Sequence, residues 1–482
     1  MLCTMALVLG TLLSADPSSD QATIRVPQDE PTIQQGIDAA SPGDVVLVAA
    51  GTYTGALNRN LNCQGKSIEV RGEGGAGVTI IDCQNAGRGF VFFTGETNAT
   101  LITGFTITHG FDSGAPEGGG AMIMLGSSPT IRDCSFVENA GSGSVFTGGG
   151  GGISCHASNA IVDNCAFIDN AATGIPGAGG GLSSHDSAMT VNRCTFTGNE
   201  AITTGLPHSE GGGMFIGFLG PAPTVTDCVF SDNRAGIGGG MSGPGVTVLQ
   251  SDFLNNSATT GHGGGVVTDI ATFSDCRFVG NSAHDSGGGV EITAASTFSR
   301  CTFMGNVAGG AGGAIYCLNS KSTFTDCVIA ENVAAAGGAF ELLGPHSFIQ
   351  CTIVRNSSPQ GSAGHGGSAD LFNSIVAFGT GSPAFPCPWG AALSCSNVYG
   401  NQGGDWVDCI ASQQGINGNF SMDPFFCDAA NDDFQLCADS PCAPAQQPDC
   451  GLVGALPVGC GACGVTSAAP TTWGGIKSRY SR

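Results

Sequence analysis

The sequence predicts an all-β chain wound as a single-stranded parallel β-solenoid, and three observations predict it. Glycine supplies 80 of 482 residues, more than twice its usual share of about 7%. Charged residues make up only 11% of the chain, whereas apolar residues make up 41%. A Cys-x-Phe-x-x-Asn pattern, with small variations, returns nine times between Cys134 and Asn356.

Composition excludes several alternatives. The apolar content is too high for a disordered chain. The glycines follow no strict triplet period, and no apolar run reaches the roughly 18 residues of a membrane span. The formal charge of −23 and a set of only three lysines, Lys66, Lys321 and Lys477, argue against nucleic acid as a partner. The same charge repels anionic polysaccharides unless cations intervene.

Taken in order, residues 1–20 read as a leader. Met1 to Leu13 is a short apolar run ending at Ser14-Ala15 before a polar stretch, which resembles the end of a secretory signal peptide without its basic segment. Residues 21–110 are expected to form an N-terminal cap and the first coils. Helical periodicity is confined to Ile33–Ala40.

Residues 111–379 carry the repeat. Its copies begin at Cys134, Cys165, Cys194, Cys228, Ser251, Cys276, Cys301, Cys327 and Cys351, at intervals of 31, 29, 34, 23, 25, 25, 26 and 24 residues. That regularity is the mark of a stacked repeat. The third position is Phe136, Phe167, Phe196, Phe230, Phe253, Phe278, Phe303, Ile329 or Ile353. The sixth is always asparagine: Asn139, Asn170, Asn199, Asn233, Asn256, Asn281, Asn306, Asn332 and Asn356. An apolar residue three places before each first position breaks strand alternation and places a bend between the two.

With a glycine cluster and apolar stretch in each copy, the spacing predicts three short strands per repeat, separated by corners that tolerate positive φ. Three strands bury no core alone, so each repeat must stack on the next, giving about 12 coils in all. Cys and Phe then point inward, and the asparagines form a hydrogen-bond ladder that satisfies each buried amide. Before the first position stand Asp133, Asn164, Arg193, Asp227, Gln250, Asp275, Arg300, Asp326 and Gln350, with no two aspartates consecutive. This reads as structural charge spacing, since like charges on neighbouring strands repel.

The glycine-apolar and Phe-x-x-Asn pairing resembles the repeats of polymorphic outer-membrane proteins. The opening, from Ile24-Arg25-Val26-Pro27 through Thr32-Ile33-Gln34-Gln35-Gly36-Ile37 to Gly51-Thr52-Tyr53, is similar to the N-terminal cap of right-handed parallel β-helices of the pectate-lyase-like group. The resemblance covers roughly residues 24 to 375 and implies a right-handed winding, in a fold that hosts both enzymes and adhesins. Unlike autotransporting relatives, the sequence leaves no room for a C-terminal membrane barrel, so no membrane-spanning segment is expected.

Residues 380–464 change character, with nine cysteines from Cys387 to Cys463 and eight prolines. They are expected to cap the open end and to hold disulfides. Residues 465–482 form a polar tail. The ladder cysteines would sit close enough to bridge, but stacked free thiols fit as well and are favoured. Cys460-x-x-Cys463 stands without a second pair, which argues against zinc.

Catalytic patterns are sparse. His109, His156, His185, His208, His262, His284, His346 and His365 are scattered. Gly261-His262-Gly263 and Gly364-His365-Gly366 resemble a short glycosidase motif, but its companion Asp-Asp and Arg-x-Lys elements do not appear in suitable positions, so both read as turns. The arginines fall in no group with carboxylates that a uronate lyase would need. Glu138 and Asp169 precede consecutive ladder asparagines and form the one surface carboxylate pair, read as a solvated or calcium-touching edge.

The positional hint is loop length. Connections 140–147, 171–178 and 200–210, with 111–117 before them, are longer than those of later coils. Stacked on one edge, they would wall a groove holding Asp112, Glu117, Phe146, Glu200, His208 and Glu210. On these grounds the leading expectation is a secreted or cell-surface, non-catalytic protein for adhesion, scaffolding or glycan contact, with no cofactor, calcium being the one candidate ion, and a glycan or surface protein as partner. The alternative is a polysaccharide lyase or glycoside hydrolase working in the early-coil groove.

Overall fold

The computed structural model describes residues 21–111, 118–143, 149–174, 177–203, 208–217, 220, 222–318, 321–386 and 390–463. The leader 1–20, the tail 465–482 and Asp112, Glu117 and Phe146 lie outside the described residues.

One turn shows how the sequence sets the backbone. Val266–Thr268, Thr272–Ser274, Arg277–Val279 and Ser282–Ala283 are its strands. Each pairs in parallel with its counterpart one turn on: Val266 beside Val290, Thr272 beside Thr297, Arg277 beside Thr302 and Ser282 beside Val307. A turn therefore has four strands where spacing accounts for three. The extra strand follows the ladder asparagines from Asn139 to Asn306, and each asparagine carbonyl accepts the next turn's backbone N–H, as Asn256 does from Ser282 at 2.9 Å.

The sheet of Cys-x-Phe strands alone has 14 members, so about 12 coils was too few. The additional turns lack the motif; Gly51–Tyr53 and Asn397–Tyr399 begin and end that sheet. The residue before each Cys position turns the corner in the left-handed region, including Arg193 at φ 51° and Arg300 at φ 51°. Such a conformation disfavours a bulky residue, so the stacked neighbours on both sides must hold it.

Inside, like stacks on like. Phe167, Phe196 and Phe230 lie ring over ring at 4.6 Å. A second column, Phe273, Phe298, Phe324 and Phe348, stacks at 4.8 to 5.0 Å. Each fully buried phenylalanine contributes about 1.5–3 kcal/mol relative to exposure. Asn233 Nδ2 donates to Asn256 Oδ1 at 2.9 Å and to the Phe196 carbonyl at 2.9 Å, and the pattern repeats from Asn139 to Asn356. Cys134, Cys165, Cys194, Cys228, Cys276, Cys301, Cys327 and Cys351 are buried free thiols. Burial pushes the Cys134 thiol up to about 12, so it stays neutral as a small apolar filler.

The helix Ile33–Ala39 closes the first turn, its start capped by Thr32, whose hydroxyl accepts from Gln35 N–H at 3.4 Å. At the other end the winding continues past residue 380 through Gly390–Ser394. The chain then folds back over the outer face of the Cys-x-Phe sheet, where Phe434 packs on Val328, Ala330 and Val354. Disulfides Cys395–Cys450, Cys427–Cys460 and Cys437–Cys463 fix this segment. Among the described residues no helix is long and apolar enough to cross a membrane.

Candidate active site

The strand after each glycine cluster alternates in and out. In Val290-Glu291-Ile292 the two aliphatic side chains join the core and Glu291 faces the opposite way. Parallel pairing stacks these outward positions into one row: Ser154, Ser183, Phe215, Ser242, Val267, Glu291, Tyr316, Glu341 and His365. The late half of the row is chemically dense. Glu341 Oε2 lies 2.8 Å from His365 Nδ1. His262, from the glycine bend beside the row, places Nδ1 4.0 Å from Glu291 Oε2 and Nε2 4.0 Å from Asp285 Oδ2. Its ring lies parallel to that of Tyr316, 6.1 Å away.

Glu291 and Glu341 are each only 7% exposed. Burial, then the Asp285 charge, pushes the Glu291 carboxyl up to about 7. Burial also raises Glu341, against the opposing pull of His365. Burial lowers His262, outweighing Asp285, so its imidazole favours the neutral form. Its Nδ1 is buried with no hydrogen-bond partner. Tyr316 stands in register between the two glutamates; with parallel strands about 4.8 Å apart, their Cα atoms are about 10 Å apart. The arrangement therefore offers a carboxyl that carries a proton near neutrality and, two strands on, a second carboxyl steadied by a histidine. The row contains no lysine or arginine.

Of the sequence-predicted groove residues, Glu210 and His208 approach the upstream end of this row. Glu210 Oε2 accepts from Ser242 Oγ at 3.0 Å, and His208 Nδ1 lies 2.9 Å from Thr260 Oγ1. Glu200 sits in the short fourth-strand sheet, paired with Arg234 at 2.8 Å; it shares a pocket with Thr260, the partner of His208, whereas Glu210 lines another. Glu138, read as half of a surface pair with Asp169, faces His109 at 3.4 Å. Cys427, Cys437 and Cys460 cluster, but all are bridged and offer no open ligand set.

His262 and His365, read from sequence as turn residues, stand beside carboxylates. Glu291, Tyr316 and Glu341 escaped sequence reasoning altogether. Aligning the glycine clusters would have exposed them, since each is the second residue after the small residues that open its strand.

The described fold and row define a parallel β-helix with a carboxylate-bearing outer face. The family described as right-handed β-helix region matches residues 45–216 and 202–329, and the chain belongs to that family. No curated protein matches it. Among solved structures it is similar to the catalytic unit of a GH87 α-1,3-glucanase from Streptomyces thermodiastaticus, at 14% identity over 82% of this chain and 71% of that one, with a TM-score of 0.44. It is also similar to the PL6 alginate lyase AlyGC, at 10% identity over 78% and 76% of the two chains, TM-score 0.34. For pectate lyase Pel9A the values are 12%, 91% and 97%, with a TM-score of 0.28.

Proposed function

We propose that the protein is an extracellular glycoside hydrolase acting on an uncharged glycan, with its site at Glu291 and Glu341. The observation that carries this reading is the pair itself: two buried glutamates at equivalent outward positions, one turn apart on either side of Tyr316, both with raised proton affinity. Glu291 donates its proton to the leaving glycosidic oxygen as the C–O bond breaks. Glu341, oriented by His365, takes a proton from the water whose oxygen forms the new bond. The row carries no lysine or arginine to hold a uronate carboxylate, which supports a hydrolase over a lyase that neutralises its substrate with basic side chains. The disulfide-bonded C-terminal segment supports an oxidising, extracellular setting.

This reading takes up the second of the two sequence expectations and moves its site from the early coils to the late ones. Release of reducing ends from uncharged polysaccharides tests it, with unsaturated-product absorbance on uronans as the lyase control. Turnover is expected, falling as pH rises through about 7 because Glu291 loses its proton. Glu291→Gln and Glu341→Gln should each lower kcat by about 10²–10⁴-fold. Unchanged turnover in either variant sinks the assignment.

A further inference from the structure

The row does not stop at the glutamate pair. Val267, the register partner of Glu291 on the preceding turn, lines an open pocket with Glu210, Ile237, Pro244, Asp269 and Thr293. Three of these, Val267, Ile237 and Pro244, supply an apolar surface. Glu210 and Asp269 supply carboxyl groups. One oxygen of Glu210 is held by Ser242 Oγ at 3.0 Å. Asp269 Oδ1 is buried and has no hydrogen-bond partner. Burial raises the Glu210 carboxyl, against the opposing hydrogen bond from Ser242.

An apolar wall with hydrogen-bonding groups at its rim fits a pyranose, whose ring presents C–H groups on its faces and hydroxyls at its edge. No lysine or arginine lines the pocket, so nothing there compensates a sugar carboxylate. The pocket opens one strand, about 4.8 Å, from the glutamate pair along the solenoid axis. We infer that it is a sugar-binding subsite adjoining the point of cleavage, which holds the next uncharged pyranose of a glycan lying along the axis, with Glu210 and Asp269 as specificity-determining residues. The inference rests on the hydrolase reading and adds the direction in which the substrate lies.

The test compares two substrate classes on the full chain: 4-nitrophenyl glycosides of neutral hexoses, which report cleavage with little use of neighbouring subsites, and neutral gluco- and galacto-oligosaccharides of increasing length. Wild-type kcat/KM is expected to climb with oligosaccharide length. Val267→Trp, which fills the pocket from a partly exposed position, and Glu210→Gln are each expected to reduce the ratio of oligosaccharide to aryl-glycoside kcat/KM by about tenfold or more, chiefly through KM. Thermal melting checks that both variants fold, and Glu210→Gln, the conservative change, decides the matter if the tryptophan variant does not. A ratio unmoved by Glu210→Gln, with Glu341→Gln inactive on both substrates, overturns the subsite and leaves the hydrolase standing. Activity on neither class overturns both.

Discussion

The early and late turns share one backbone and differ in what they present outward. In the early turns the row holds Ser154 and Ser183, both fully buried; in the late turns it holds Glu291, Tyr316, Glu341 and His365. The inward Cys, Phe and Asn ladders run through both regions almost unchanged. The comparison teaches that in this solenoid repetition marks stability, whereas chemistry lies at positions where the repeat is broken. Burying a carboxyl in such a row lowers stability unless a bound substrate uses it.

The largest expected effect follows from that cost. Glu291 has its proton affinity raised in the folded state, so its contribution is fully present below the ordinary glutamate range and is lost as pH rises through about 7. Well above neutrality the ionised form should cost about 3 kcal/mol by linkage. Glu291→Gln is therefore expected to lose activity yet melt higher than wild type in alkaline buffer, with the gap closing at acidic pH. Ser183→Ala, at the same row position in the early turns, should show no such pH-dependent difference. Parallel melting curves for the two variants across pH would break the comparison.

A smaller and uniform effect belongs to the ladder. Asn233 and Asn256 are fully buried, and each side chain joins two turns. Replacing one by alanine orphans its neighbours' polar groups, at about 1–3 kcal/mol. Asn170→Ala in the early turns and Asn306→Ala in the late turns should cost alike in chemical denaturation. A marked difference between them would mean that the inner scaffold is itself regional.

This division explains what was legible in the sequence. Nine copies of Cys-x-Phe-x-x-Asn give winding, strand order and inward residues, because a residue type that recurs at one position reports one shared environment. The fourth strand was missed because it is as short as Ser257–Ala258 and its recurring feature, a buried alanine second in the strand (Ala172, Ala201, Ala235, Ala258, Ala283 and Ala308), is a weak strand signal. The return of the C-terminal segment over Val328 and Val354 was equally hidden: those outward apolar residues stand one per turn, and only the partner, Phe434, gives them meaning. Glu291, Tyr316, Glu341 and His365 share a row but no residue type, so a search for recurrence passes over them. Glu210 was found through loop length, and the structure assigns it to the upstream end of the late row.

Glu200 gives the smallest expected effect and the cleanest test of where the early region ends. Its carboxylate pairs with Arg234 at 2.8 Å, with side chains 37% and 61% exposed. An ion pair so open to solvent contributes at most about 1 kcal/mol, and salt screens it. Glu200→Gln should therefore shift the melting temperature slightly at low ionic strength and not at high. Its effect on glycan turnover should be negligible, because it stands in the fourth-strand sheet and not in the row of Glu291 and Glu341. A large drop in turnover with Glu200→Gln, and none with Glu341→Gln, would return the chemistry to the early turns and make the dense late row a structural feature.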